Sequence, residues 1–130
     1  MALVPLPLCH YTVTPGSISG RFGRHTFDLL DVVEDVRAEV AGAGLERRWR
    51  ADLLQHRYLN GLLPLANMAL RAEHAGAGDA GTREAVAAAR RLVRPSELVR
   101  LAAAGRLRTA AAAGLLRALP GVYSSGLARR

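Results

Sequence analysis

The stretch Pro7-Leu8-Cys9-His10-Tyr11-Thr12-Val13-Thr14-Pro15-Gly16-Ser17-Ile18-Ser19 is the part of the chain that departs most from a helical pattern. Its first half predicts a β-strand, because alternate residues fall on opposite faces of an extended chain. Thr14-Pro15-Gly16-Ser17 then predicts a turn, since proline fixes one backbone angle and glycine accepts a positive φ. We therefore expect an extended strand and turn in residues 1–25, with small polar groups presented at the bend.

The remainder of the chain predicts helices, which makes the expected fold class mainly α: a strand and turn followed by a bundle of about five helices. Glycine, proline and capping residues divide residues 26–119 into five helical segments. The segments run from Thr26 to Val40, from Leu45 or Glu46 through a bend or break near Leu63 to Glu73, from Arg83 to Arg94 after a Thr82 cap, from a Ser96 cap with Glu97 in the first turn to Gly105, and from Arg106 to Leu119. Residues 120–130 are expected to form a flexible tail.

The charge of this 130-residue chain is strongly positive and unevenly distributed. Its 18 basic residues are all arginine and face 11 acidic ones, which gives a net charge of +7. Residues 1–44 carry three arginines and five acids, whereas residues 45–130 carry fifteen arginines and six acids. This imbalance predicts an anionic partner, namely nucleic acid, a membrane surface or a phosphorylated substrate.

The sequence also indicates a cellular location. One cysteine cannot form an internal disulfide and fits a reducing compartment. The amino-terminal residues lack the basic start of a secretory signal, and arginines interrupt the alanine-rich run between Leu101 and Leu119. We expect a cytoplasmic protein that can rest on the inner membrane surface.

Several kinds of catalytic or metal site are disfavoured by spacing. Nucleophilic catalysis by Cys9 with His10 as its base is disfavoured, because neighbouring residues of a strand point to opposite faces. A metal site is disfavoured because the four histidines lack the spacing of metal ligands. The pair His56 and Asn60 is interpreted as core polar groups. Asp31 and Asp35, one helical turn apart, are interpreted as part of a solvated face.

The opening stretch resembles the segment that follows the catalytic core of family-2 glycosyltransferases. In that family a strand of the form Pro-Leu-aromatic-x-Tyr-Arg-x-Arg-x-Gly-Ser-Ile-Ser leads into a helix rich in leucine, valine and acids. The matching residues here are Pro7, Leu8, Tyr11, Gly16, Ser17, Ile18 and Ser19, followed by a helix that opens Phe27-Asp28-Leu29-Leu30-Asp31-Val32-Val33-Glu34. Cys9 replaces the usual aromatic residue, and Thr12 and Thr14 replace arginines.

This resemblance implies the C-terminal helical part of an inverting, GT-A type glycosyltransferase, which moves a sugar from a nucleotide-diphosphate donor to an acceptor hydroxyl. The catalytic α/β domain is absent from these residues, so the isolated chain is expected to be inactive and to hold no cofactor itself. The full enzyme would use a divalent metal, a nucleotide-sugar donor and a glycan or lipid acceptor. The residues expected to border the donor and acceptor are His10, Tyr11, Thr14, Ser17 and Ser19, with Arg21 and Arg24 as candidates for phosphate contact.

Two other classes of function are also compatible with the sequence. One is a small basic helical module that binds nucleic acid or an anionic membrane through Arg90, Arg91, Arg94, Arg100, Arg106 and Arg108. Asparagine and glutamine are scarce near these arginines, so specific reading of DNA bases is not expected. The other is an interaction domain whose strand, Leu3 to Val13, adds to the sheet of a partner.

Overall fold

The computed structural model describes residues 22–128, in which every secondary-structure element is a helix and short turns connect the helices. A 3₁₀ helix, Arg24–Phe27, leads into the first α-helix, and a π-helical segment, Arg57–Leu62, joins the second and third. The α-helical segments are α1 (Asp28–Gly42), α2 (Arg50–His56), α3 (Leu63–His74), α4 (Ala80–Leu92), α5 (Pro95–Ala103), α6 (Leu107–Ala118) and α7 (Pro120–Ala128). The expectation of a mainly α fold is confirmed, whereas the expected strand and turn lie outside the described residues.

The start of the described chain differs from the expected extended segment. Arg24 and His25 already belong to the 3₁₀ helix, because Gly23 and Thr26 cap it reciprocally. The Thr26 amide donates to the Gly23 carbonyl at 2.9 Å, and the Gly23 amide donates to the Thr26 hydroxyl at 3.1 Å. This exchange satisfies backbone groups that an extended chain would leave to solvent.

Three glycines end helices in the way that the sequence predicts. Gly44, Gly76 and Gly105 have φ values of 70°, 74° and 75°, and they follow α1, α3 and α5. In each case the next residue donates its amide to a carbonyl five residues earlier, as Leu45 does to Val40 at 3.0 Å. This is the Schellman arrangement, which favours glycine because a side chain is strained at positive φ.

The expected bend near Leu63 takes the form of a π-helical segment within one continuous helix spanning residues 50–74. Pro64 lacks an amide hydrogen, and its ring conflicts with the carbonyl four residues earlier. The wider turn of the π segment just before it relieves that conflict. Gly61 lies on this segment where α1 crosses it, and a Cβ atom there would be 3.2 Å from Cγ2 of Val33. The helix is therefore distorted without being broken.

Two helix starts differ from the expected caps. Asp79, not Thr82, is the N-cap of α4: its Oδ1 accepts the Thr82 amide at 2.9 Å, and the Thr82 hydroxyl accepts the Asp79 amide at 3.0 Å. Arg94 precedes α5 as the N-cap in place of Ser96, because Pro95 takes the first helical position, where its missing amide hydrogen costs nothing.

The expected flexible tail is wrong for residues 120–128, which form α7. Pro120 is compatible with the first turn of a helix, so it ends α6 and starts the next helix at the same point. The hydroxyl of Tyr123 donates to Oδ1 of Asn67 at 2.7 Å, which ties α7 to α3. This contact joins residues that are 56 positions apart, so it cannot be predicted from local sequence patterns.

The core lies where the long helix meets α4, α5 and α6. Its main cluster consists of buried side chains from five of the helical segments: Tyr58, Leu62, Leu63, Ala66, Ala89, Val93, Leu101, Ala113 and Leu116. A second cluster, formed by Leu65, Ala69 and Ala85, packs beneath Phe22 and Phe27. The alanines at the α3–α4 contact let the two helices approach closely. The described residues thus form a packed helical body that leaves α1, α2 and α5 facing a cleft.

Candidate functional site

The cleft between α1, α2 and α5 has a volume of about 660 Å³ and an unusual content of charge. Its charged lining consists of seven arginines and three glutamates: Arg37, Arg47, Arg48, Arg50, Arg57, Arg94, Arg100, Glu34, Glu46 and Glu97. Apolar side chains, among them Val33, Leu54 and Leu101, complete the walls. We refer to this feature as the arginine cleft.

Glu97 is the deepest charged group of the arginine cleft, and it is 4% exposed. Its Oε1 accepts a hydrogen bond from Nη1 of Arg57 at 2.8 Å, and its Oε2 accepts one from the hydroxyl of Tyr58 at 2.8 Å. The carboxylate also lies in the first turn of α5, where the helix dipole favours negative charge. Both oxygens are therefore satisfied, as a buried carboxylate requires.

Tyr58 connects the same carboxylate to the start of α5. Its side chain is fully buried, and its hydroxyl accepts the backbone amide of Arg94 at 3.3 Å while it donates to Glu97. Burial raises the pKa of Tyr58 to about 12, and the hydrogen bond to Glu97 adds to the effect. The phenol consequently remains a neutral donor across the physiological range.

The remaining arginines of the cleft divide into two groups. Arg37 pairs with Glu34 at 3.1 Å and with Glu46 at 3.5 Å, and Arg57 also lies 3.8 Å from Glu34. Within residues 22–128, no ion pair engages the other five, which are all solvent-exposed: Arg47, Arg48, Arg50, Arg94 and Arg100. Five uncompensated guanidinium groups around one concavity produce a strong positive potential there.

The structure describes one of the seven residues expected to border a sugar-transfer site. His10, Tyr11, Thr14, Ser17, Ser19 and Arg21 lie outside the described residues. Arg24 is exposed and lines a separate cleft of about 680 Å³ beside three carboxylates, those of Asp28, Asp79 and Glu84. Arg24 therefore lies in acidic surroundings and is not part of the arginine cleft.

The arginines expected to form a basic binding surface are also dispersed. Arg94 and Arg100 line the cleft, but Arg106 pairs with Asp52 at 2.7 Å and Arg90 donates to the carbonyl of Arg117 at 3.2 Å. Arg91 and Arg108 do not line the cleft. The sequence interpretation missed Arg47, Arg48 and Arg50, although the dense run Arg47-Arg48-Trp49-Arg50 between two helices was a visible signal.

Among residues 22–128, no three His, Cys, Asp or Glu side chains gather in a way that would hold a metal ion. Across that range, none of the helices combines the length and apolar character needed to cross a bilayer.

Comparisons with known proteins identify no relative. The chain matches no protein-family model, no curated protein and no solved structure. The cleft must therefore be interpreted from its own chemistry.

The raised pKa of Tyr58 predicts a loss of stability at alkaline pH. In the unfolded chain a tyrosine ionises near pH 10, whereas in the folded protein Tyr58 stays neutral to about pH 12. The stabilisation is complete below pH 10 and is lost as the pH rises towards 12, by up to about 2 kcal/mol. Urea unfolding measured from pH 9 to 12 should show this decline, and Tyr58→Phe should flatten it. An equally steep decline in the Tyr58→Phe variant would contradict the assignment.

Proposed function

We propose that residues 22–128 form a binding module for phosphate-bearing anions and that the arginine cleft is its site. The observation that carries this proposal is the set of five exposed arginines around one concavity, none of which has a carboxylate partner within the described residues. Guanidinium groups pair with phosphate oxygens through two parallel hydrogen bonds, which makes arginine the preferred side chain for this ligand.

The arrangement of the three glutamates supports the same function. Glu34 and Glu46 contact Arg37, and both oxygens of Glu97 are bound by Arg57 and Tyr58. The three carboxylates are thus paired with Arg37, Arg57 and Tyr58. The five exposed arginines therefore remain available to bind an anion. A volume of about 660 Å³ also lies within the range of roughly 300–1,000 Å³ that small-molecule sites occupy.

The arginines approach the cleft from two directions. Arg47 and Arg48 come from the turn before α2 and Arg50 is the first residue of α2, while Arg94 is the N-cap of α5 and Arg100 lies in its last turn. A ligand between them would contact both walls, which favours an anion with more than one phosphate over a single phosphate group. We therefore assign the site to diphosphates or to closely spaced phosphate groups.

The test uses inorganic pyrophosphate as the probe and calorimetric titration as the measurement. At about 0.15 M salt, where long-range attraction is largely screened, the double variant Arg94→Gln/Arg100→Gln should bind about tenfold or more weakly than the wild type. The control is Arg83→Gln/Arg91→Gln, which removes the same charge from exposed positions outside the cleft. It should change the affinity less than about threefold. Equal losses in the two double variants would refute a specific site.

A second candidate function is sugar transfer, and the observation that favours it is the sequence pattern from Pro7 to Ser19. On this proposal the chain is the C-terminal helical part of an inverting glycosyltransferase, with its donor-binding domain and divalent metal contributed by residues upstream of this sequence. Glycan or lipid acceptors and contact with the inner membrane surface belong to the same proposal. The arginine cleft is compatible with it, since nucleotide-sugar donors carry a diphosphate.

This candidate predicts an in-frame coding sequence upstream of Met1 that contains an aspartate-rich metal motif. In the protein expressed from that longer frame, Ser17→Ala and Tyr11→Phe should each lower the sugar-transfer rate by roughly three- to tenfold, the value of one lost hydrogen bond. Ser125→Ala serves as a control because that exposed hydroxyl donates only within α7, to the carbonyl of Gly121 at 2.8 Å. The sugar-transfer proposal fails if no such frame exists or if both changes leave the rate unaltered.

A further inference from the structure

Two large apolar side chains are exposed in the turn that, together with the first residue of α2, supplies three arginines to the cleft. Leu45 is 42% exposed and Trp49 is 45% exposed. The Trp49 amide donates to the Leu45 carbonyl at 3.1 Å, so the two residues are one turn apart and neighbours on the surface. Neither side chain lines the arginine cleft. They form a small apolar surface beside it.

The ends of two helices hold this turn in place. The Leu45 amide donates to the Val40 carbonyl at 3.0 Å after the left-handed Gly44, and the Leu53 amide donates to the Trp49 carbonyl at 2.8 Å. The turn is therefore anchored to α1 at its start and to α2 at its end. Its exposed side chains are presented without the ordering cost that a loose loop would incur on binding.

Cationic groups accompany the apolar ones on this turn. Arg47, Arg48 and Arg50 line the adjacent cleft, and the guanidinium carbon of Arg48 lies 5.7 Å from the centroid of the Trp49 ring. Exposed tryptophan and leucine next to arginines are the side chains that a bilayer interface accommodates, with rings at the level of the headgroups and cations on the phosphates. We call residues 45–50 the docking turn.

We propose that the docking turn binds the surface of an anionic lipid bilayer, with Leu45 and Trp49 inserted at the interface and Arg47, Arg48 and Arg50 on headgroup phosphates. This inference rests on the proposed function, because it assigns the phosphates of the arginine cleft to lipid headgroups. Each arginine near such a surface strengthens binding by about fivefold. The attachment is reversible and depends on salt.

A single-stranded nucleic acid is the other polyanion that a tryptophan and arginines can bind, but the structure fits it less well. Such proteins stack successive bases on several exposed aromatic rings. Among the phenylalanine, tyrosine and tryptophan side chains of residues 22–128, only Trp49 is exposed, and Arg48 lies near its ring. Exposed Leu45 would gain nothing from a phosphate backbone, whereas at a bilayer interface it leaves water.

Trp49 is the chain's one tryptophan, so its fluorescence reports on the docking turn directly. With phosphatidylcholine vesicles that contain phosphatidylserine, the emission of the full chain should shift to the blue, and high salt should reverse the shift. Vesicles of phosphatidylcholine alone should leave the emission unchanged. Leu45→Ser should lower the partition into anionic vesicles about tenfold, since one apolar side chain no longer leaves water, and should leave the affinity for pyrophosphate unchanged. Leu115→Ser is the control, because Leu115 is 40% exposed on α6 and outside the cleft.

The outcomes separate this inference from the proposed function. Pyrophosphate binding without a blue shift on anionic vesicles overturns membrane docking and leaves the phosphate site standing. Failure of pyrophosphate to bind overturns both. A Trp49 emission that a single-stranded oligonucleotide quenches, at a salt concentration where vesicles have no effect, assigns the turn to nucleic acid and also overturns the inference. Equal losses of vesicle binding in Leu45→Ser and Leu115→Ser would contradict the role of the docking turn.

Discussion

The buried carboxylate of Glu97 is the constraint on which the cleft depends. It holds two consecutive side chains of the π segment, Arg57 through one oxygen and Tyr58 through the other. Tyr58 in turn accepts the amide of Arg94 at the start of α5. Because an unpaired buried charge is far more costly than a paired one, the long helix and α5 have one favourable relative position. That position places Arg94 and Arg100 in the same cleft as the arginines of residues 47–50.

The π segment explains how two adjacent residues reach one carboxylate. Successive side chains of a π-helix are separated by a smaller angle than those of an α-helix, so Arg57 and Tyr58 project in more similar directions. Pro64 favours this wider turn, and Gly61 lets α1 lie close against it. A local distortion of the helix thereby becomes the geometry of the cleft. Through Arg57, which lies near Glu34 as well, the same distortion links α1 to the network.

The extent to which the sequence predicted this structure depends on how local each feature is. The ends of α1, α3 and α5 follow from single glycines, and the distortion before Pro64 follows from the chemistry of proline. The network could not be predicted in the same way, because Tyr58 and Glu97 are 39 positions apart. From the sequence alone, Tyr58 is interpreted as one member of an apolar row on the second helix. Glu97 is interpreted as a favourable negative charge in the first turn of the helix that follows Ser96. The cleft could not be predicted either, because Arg48 and Arg100 lie in different segments of the chain and only tertiary packing brings them to one surface.

The most direct test of this account is a double-mutant cycle on Arg57 and Glu97, measured as free energies of unfolding in urea. Arg57→Leu alone leaves Glu97 buried beside Tyr58 only and should cost about 3 kcal/mol. In the double variant Arg57→Leu/Glu97→Leu the uncompensated charge is gone, so its cost should fall below the sum of the two single costs by at least about 1 kcal/mol. Costs that add to within about 0.5 kcal/mol would contradict the claim that this pair holds the long helix to α5.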